Sequence, residues 1–238
     1  MDYLILVAGG QGLRMGSDVP KQFMLLGGRP IIMRTIDRFV EALPEIRIVV
    51  VLHPDYVEMW RKLCEEHSFT TPCEIALGGA ERFDSVKNGL GVVEQQRIEN
   101  REESMVNYQW SMVNDVVAVH DAVRPLVSVE VIRAAFAEAR QSGAVVPALA
   151  SMESVRLMDG TGRSMAVNRN NVMLVQTPQV FSLSLLRQAY AQPYRDSFTD
   201  DASVVEALGH PIHIIPGNRE NIKLTTPLDL KIAEQLID

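Results

Sequence analysis

The chain has 238 residues, 47% of them hydrophobic, with a net charge of −7 and a pI near 5.3. That is enough apolar material for one substantial core. The acidic balance argues against nucleic acid as the main partner, because duplex binding needs a net basic face. Cys64 and Cys73 form no CxxC pair and have no histidines at zinc spacing, so two buried, reduced thiols are expected.

The chain opens on Met-Asp-Tyr-Leu-Ile-Leu-Val-Ala-Gly-Gly. It has no basic leader segment, and the apolar run is too short for a signal peptide, so Tyr3–Val7 reads as a buried strand. No stretch approaches the roughly 18 apolar residues of a membrane helix, and a cytoplasmic protein without a membrane partner is expected. Ile31–Val40 has helical periodicity, Ile46–Leu52 is a second β-branched run, and Val57–Glu66 is an amphipathic helix. Glu74–Leu77 is a short strand, Ser85–Glu94 a helix and Asp115–Val119 an apolar strand. Gln95–Asn114 reads as a helix extension followed by an irregular loop. Val129–Ser142 is a helix with an apolar stripe, and Ala144–Leu149 is another strand. Beyond the break described next, Leu183–Tyr190 and Ala202–Leu208 read as helices, Ile212–Pro216 as a strand and Pro227–Leu236 as a final helix. Strands alternating with helices predict an α/β fold: a Rossmann-like, mainly parallel sheet with helices on both faces, over a single domain 1–238.

Residues 151–175 break this rhythm. Val155–Met158 and Ser164–Val167 flank Asp159-Gly160-Thr161-Gly162, a hairpin signal with a four-residue glycine turn. An isolated hairpin is marginal in water. A protruding β-arm covered by a second copy, giving a homodimer, is therefore expected.

Ligands of such sheets bind beyond the C-terminal ends of the strands. Two motifs fall there. After the first strand comes Ala8-Gly9-Gly10-Gln11-Gly12-Leu13-Arg14, with Pro20-Lys21-Gln22 just beyond. Glycines let backbone N–H groups approach a phosphate, and Arg14 and Lys21 add two cations. That set suits a reaction building charge on phosphate oxygens. The spacing fits neither the dinucleotide fingerprint nor the Walker loop. After the fourth strand comes His120-Asp121-Ala122-Val123-Arg124-Pro125. Asp121 is placed to hold Mg²⁺ with substrate phosphates, Arg124 to bind a second phosphate, and His120 to pack rather than to act as a base. Gly78-Gly79-Ala80-Glu81-Arg82-Phe83-Asp84-Ser85 enters a helix whose N–H groups and Ser85 suit a base or ribose. Thr177 in Gln176-Thr177-Pro178-Gln179 is a possible phosphate donor, Lys223 precedes the last helix, and Thr199-Asp200-Asp201-Ala202-Ser203 reads as a mainly structural cap.

This ordered set, over about residues 3 to 236, resembles the 2-C-methyl-D-erythritol 4-phosphate cytidylyltransferase family. The resemblance implies an enzyme of non-mevalonate isoprenoid synthesis that uses CTP, Mg²⁺ and a sugar-alcohol phosphate and releases pyrophosphate. It implies that Ala8, Gly9, Gly10 and Gly12 hold the CTP phosphates and that Arg14 and Lys21 stabilise the pentavalent α-phosphate. Gly78 and Ser85 would contact cytidine, with Arg82 in the same CTP half. Asp121 would serve the metal and the acceptor, and Arg169 and Lys223 would position the acceptor phosphate. Family members are homodimers whose arms reach the partner's site, so Arg124, Ser154 and Arg169 are expected to meet substrate across the interface. The chain departs from the family's usual Asp-Thr-Ile-Lys with Glu153-Ser154-Val155-Arg156, and from Asp-Arg with Asn168-Arg169. Both departures lie on the arm that would choose the acceptor. A ribitol 5-phosphate cytidylyltransferase is therefore the alternative, and a catalytically silent nucleotide-binding protein a more distant one.

Overall fold

The computed structural model describes residues 1–10, 19–102 and 115–237. Its centre is an eight-stranded sheet formed by β1 (Asp2–Ala8), β4 (Arg47–Leu52), β5 (Glu74–Leu77), β6 (Val116–Asp121), β7 (Ala144–Ala150), β10 (Met173–Val175), β11 (Gln179–Ser182) and β12 (His213–Pro216). The order is β10-β7-β11-β6-β1-β4-β5, with β12 paired to β7. β1, β4, β5 and β6 run parallel, as does β12 with β7, whereas β10 and β11 are antiparallel to their neighbours. The mostly parallel α/β sheet expected from the alternating pattern is present. The antiparallel β11 between β6 and β7 was not foreseen. Its four residues begin on Gln179 of the polar turn and end on the helix cap Ser182, so only Val180 and Phe181 carry an apolar strand signal.

Side chains sort onto the two faces with the period of two that a strand imposes. Leu4, Leu6, Ile48, Val50 and Ala118 face one core. There they meet Ile32, Ile36 and Phe39 of α1 (Ile31–Ala42), Trp60 of α2 (Val57–Glu66), and Ile132 and Phe136 of α4 (Val129–Ser142). Tyr3, Ile5, Val49, Val51 and Val117 face the other core, against Val86 and Leu90 of α3 (Arg82–Glu102), Leu186 of α5 (Leu183–Tyr190) and Val204 of α6 (Asp201–Glu206). Both faces are covered, so these strands read as continuous apolar runs rather than alternating ones.

Helix ends follow their caps. Ser128 accepts a hydrogen bond from Val131 N–H at the start of α4, and Gly143 ends it at φ 82, a left-handed position that suits glycine. α3 begins three residues earlier than Ser85 and runs on to Glu102. The expected extension past Glu94 is therefore present, and the expected loop at 103–114 lies outside the described residues. α7 (Pro227–Glu234) opens on a Thr226–Asp229 capping box. A small hairpin, β2 (Leu25–Leu26) with β3 (Arg29–Pro30), was not anticipated.

β8 (Val155–Met158) and β9 (Ser164–Val167) have the expected bounds and, among the described residues, pair only with each other. Their connection is residues 159–163, five rather than four, because Met158 pairs with Ser164. Cys64 and Cys73 are free but only half-buried, a correction to the expected burial. Desolvation pushes Cys64 up to about 11 and Cys73 up to about 12, so both remain thiols at neutral pH. No helix among the described residues is long and apolar enough to cross a membrane.

Candidate active site

β1, β4, β5 and β6 all deliver their C-terminal residues to one edge of the sheet. A cleft of about 270 Å³ opens there, lined by Ala8, Gly9, Gly10, Lys21, Arg82, Ser85, Asp121 and Lys223 among others. Two roomier hollows, of about 670 and 500 Å³, lie around Leu43–Arg47, at the start of β4 and away from these residues. Volume does not pick the site; the convergence of charge and glycine backbone at the strand ends does.

The floor is backbone. Gly78 N–H donates to Leu52 carbonyl at 2.7 Å, tying the loop after β5 to the end of β4. A Cβ placed on Gly9 would sit 3.7 Å from Gly78 Cα and 3.5 Å from Ser85 Oγ. Side chains here would thicken the floor where the two glycine loops meet. Ser85 Oγ accepts from Gly79 N–H at 3.1 Å, which anchors the second loop to the first turn of α3. Gln22, 2% exposed, donates from Nε2 to the carbonyls of Ala8 (2.9 Å) and Gly10 (3.3 Å). It staples the Lys21–Phe23 turn to the glycine loop and so sets where Lys21 stands. The sequence alone gives Gln22 no role; a buried amide beside the carbonyls of Ala8 and Gly10 is seen only in three dimensions. Gly12 and Arg14 lie outside the described residues.

The opposite wall is a charge cluster. Asp121 Oδ2 lies 3.0 Å from Lys223 Nζ and 3.3 Å from Arg124 Nε. Arg124 Nη1 also donates to the Asn221 carbonyl at 2.7 Å. Burial alone would raise the Asp121 pKa, but Lys223, Arg82 and Arg124 overcome it and pull the carboxyl down to about 2. His120 is fully buried, and desolvation pushes it down to about 4. Its Nε2 faces the Arg124 carbonyl at 3.1 Å. A carbonyl only accepts, so Nε2 carries the proton and Nδ1 accepts from Thr177 Oγ1 at 2.9 Å. Thr177 in turn accepts from Asp121 N–H at 3.2 Å. The Thr177 hydroxyl proton is thus engaged inside the protein, and His120 is a neutral strut rather than a base. Asn221, fully buried, donates to the Thr177 carbonyl at 2.8 Å and holds the loop that carries Lys223 against this turn.

Arg82 bridges the halves of the cleft. It makes a two-point contact with Asp201, Nη1 to Oδ1 at 2.9 Å and Nη2 to Oδ2 at 2.6 Å. Asp201 sits in the segment read from sequence as a structural cap. Asp200 does cap α6 with Ser203, but Asp201 is turned to the cleft's arginine.

Ser154 and Arg169 do not line this cleft. Both are exposed on the arm, where Arg169 Nη1 donates to the Met152 carbonyl at 2.6 Å. One chain therefore gathers Ala8, Gly9, Gly10, Lys21, Gly78, Arg82, Ser85, Asp121, Arg124 and Lys223 at one edge of the sheet and leaves Ser154 and Arg169 apart.

A metal held here would have few protein ligands. Among the described residues no three His, Cys, Asp or Glu side chains converge. Both cations on Asp121 take Oδ2, and no hydrogen bond among the described residues uses Oδ1. One carboxylate oxygen beside a phosphate cradle fits Mg²⁺, which keeps waters and takes substrate phosphates for the rest of its shell.

The family model described as 2-C-methyl-D-erythritol 4-phosphate cytidylyltransferase matches residues 3–238. The chain is 48% identical over 233 residues to the 2-C-methyl-D-erythritol 4-phosphate cytidylyltransferase of Bacteroides fragilis, and 47% over 234 residues to that of Bacteroides thetaiotaomicron, covering 98% of both chains in each case. A crystal structure of 4-diphosphocytidyl-2C-methyl-D-erythritol synthase from Anaerococcus prevotii superposes with a TM-score of 0.76 at 25% identity, over 99% of this chain and 97% of that one. A cleft of glycine backbone and fixed cations, in a chain matched end to end, leaves one assignment: the protein belongs to the 2-C-methyl-D-erythritol 4-phosphate cytidylyltransferase family.

Proposed function

We propose that the cleft transfers a cytidylyl group from CTP to 2-C-methyl-D-erythritol 4-phosphate, as the relatives' names describe for those proteins, in the synthesis of isoprenoid precursors. The observation that carries this reading is the placement of Lys21, Arg82 and Lys223 around Asp121, opposite the Gly9–Gly78 floor.

An acceptor phosphate is already ionised at neutral pH, so its oxygen attacks without a general base. A new bond forms between that oxygen and the α-phosphorus, the α–β phosphoanhydride bond breaks, and pyrophosphate leaves with the electron pair. Catalysis is then positioning and electrostatics. Backbone N–H groups of Ala8, Gly9, Gly10 and Gly12 hold the triphosphate, and Lys21 with Arg14 stabilises the charge that grows on the α-phosphate. Ser85 and the Gly78 loop take the nucleoside, and Arg82 takes phosphate charge. Lys223 and Arg124 face the acceptor. Asp121 would hold Mg²⁺, which would supply charge neutralisation at the phosphates.

Ser154 and Arg169 then act on the acceptor bound by a second copy. The support is the arm itself: Leu157, Met158 and Met165 are each more than half exposed, and Met173, Leu174 and Val175 of β10 are exposed as well. A two-stranded hairpin with that surface needs a cover. We read the protein as a cytoplasmic homodimer formed through residues 151–175. Sizing with light scattering at micromolar concentration should give twice the mass of the chain, and a clean monomer would remove this part of the reading.

The direct test is pyrophosphate release from CTP and Mg²⁺ with 2-C-methyl-D-erythritol 4-phosphate and ribitol 5-phosphate in parallel. Release with the first alone is expected. Release with ribitol 5-phosphate alone would keep the chemistry and change the acceptor; release with neither would overturn the reading.

A further inference from the structure

Arg82 is the first residue of α3 and stands at the cleft one turn from Ser85. A free arginine there would sample many rotamers. This one is restrained, because Asp201 accepts from both terminal nitrogens, one to each carboxylate oxygen. Asp201 is 0% exposed, and Tyr190, itself buried, donates its hydroxyl to Oδ1 at 2.6 Å. Burial works against the Arg82 charge, yet Asp201 more than offsets it and raises the arginine's pKa.

The Asp201 carboxylate is not needed to dock α6 on the sheet. Gln179, 1% exposed on β11, already does so from both ends of its amide: Nε2 donates to Asp200 Oδ2 at 2.7 Å, and Oε1 accepts from Ala202 N–H at 2.8 Å. Asp200 and Ser203 satisfy the helix start. What Asp201 adds is an orientation for Arg82. A guanidinium has five N–H donors; Asp201 occupies two, and among the described residues the other three have no protein partner.

We propose that Asp201 is a positioning residue of the transfer site: by its two-point bond it fixes the Arg82 guanidinium so that the remaining N–H donors face the phosphates of the nucleotide, and Tyr190 holds the carboxylate in turn. The proposal rests on the cleft being the nucleotide site. It makes α6, distant in sequence from both glycine loops, part of the nucleotide half rather than of the scaffold. Its gain is preorganisation: a charge already aimed needs no reordering when the nucleotide arrives.

The test uses the full chain with the acceptor saturating and CTP varied, in Asp201→Asn, Tyr190→Phe, Arg82→Gln and the Arg82→Gln/Asp201→Asn pair. Asp201→Asn should raise KM for CTP about tenfold or more, the scale of a lost hydrogen bond to a charged group. Tyr190→Phe should move it the same way by a smaller factor, with KM for the acceptor within about twofold in each. In the Arg82→Gln background the Asp201 change should add nothing, because the two residues act as one unit. Losses that multiply, or variants that lower Tm while KM for CTP stays put, would overturn the clamp. Should Asp201→Asn fail to fold, Tyr190→Phe in both backgrounds carries the same comparison. Calorimetric titration of CTP into the unaltered protein separates the two readings. No binding removes the nucleotide site and the clamp with it; normal binding with an unmoved KM in the variants removes the clamp alone.

Discussion

Lys223 holds its ammonium 3.0 Å from Oδ2 of Asp121, and the two come from segments far apart in the sequence, one ahead of the last helix and one at the tip of β6. With Arg124 and Arg82 nearby, this pair keeps the carboxyl pKa at about 2, below its ordinary 3.8. The folded state therefore prefers the ionised form. The associated stability is fully present above the ordinary pKa and is lost as pH falls from about 3.8 towards about 2. Asp121→Asn should remove that dependence. Melting temperatures of the two proteins from pH 7 to pH 2 should converge through this acid window. A constant gap at every pH would show that the carboxylate is not held in its charged form by its neighbours.

Lys21 is placed by Gln22, whose amide joins the two carbonyls of the glycine loop. Lys21→Ala should lower kcat by about 10² to 10³, the scale of removing one preorganised donor to a developing charge. Gln22→Ala should lose part of the same activity, because the turn that presents Lys21 loses its staple. Single-turnover rates with both substrates saturating are the readout. Near-normal turnover in Lys21→Ala would count against its role at the α-phosphate.

Gly89 separates packing from chemistry. It lies in α3 against β1, and a Cβ there would stand 2.8 Å from Ile5 Cγ2 and 3.1 Å from Val51 Cγ2. Gly89→Ala should destabilise the protein by about 1–3 kcal/mol through overpacking, even though alanine is the better helix former. Its kcat per folded molecule should stay unchanged, as neither Gly89 nor the Ile5 and Val51 side chains it would meet line the cleft. Urea unfolding followed by active-fraction assays reads both quantities.

Much of the fold was legible because it is written in local periodicity. The runs at Val57–Glu66, Glu74–Leu77, Val129–Ser142 and Leu183–Tyr190 name their elements to the residue. Features set by long-range contact were not legible. β11 is a strand only because β6 and β7 lie on either side of it. The site divides in the same way. Glycines and charged side chains announce themselves by type and by position next to predicted strands or helices, so the candidacy of Lys21, Asp121 and Lys223 was readable. Asp201 looked like a helix cap because its neighbour Asp200 is one, and the turn towards Arg82 is tertiary. Gln22 and His120 likewise act through partners that no spacing reveals.

Arg169 makes the sharpest test of a site shared between copies. It is exposed on the arm and held to the Met152 carbonyl, apart from the cleft of its own chain. Arg169→Ala should raise KM for the acceptor and leave KM for CTP nearly unchanged. Mixing it with Lys21→Ala then asks whose acceptor it serves. In a two-fold dimer with arms exchanged, random mixing makes about half the molecules hybrids. Each hybrid has one cleft with an intact Lys21 facing an intact Arg169 from its partner. About a quarter of all clefts should therefore regain normal acceptor affinity after subunit exchange. If each arm served its own cleft, a hybrid would hold one site of each damaged kind, and mixing would restore nothing. Acceptor saturation curves before and after exchange distinguish the two arrangements.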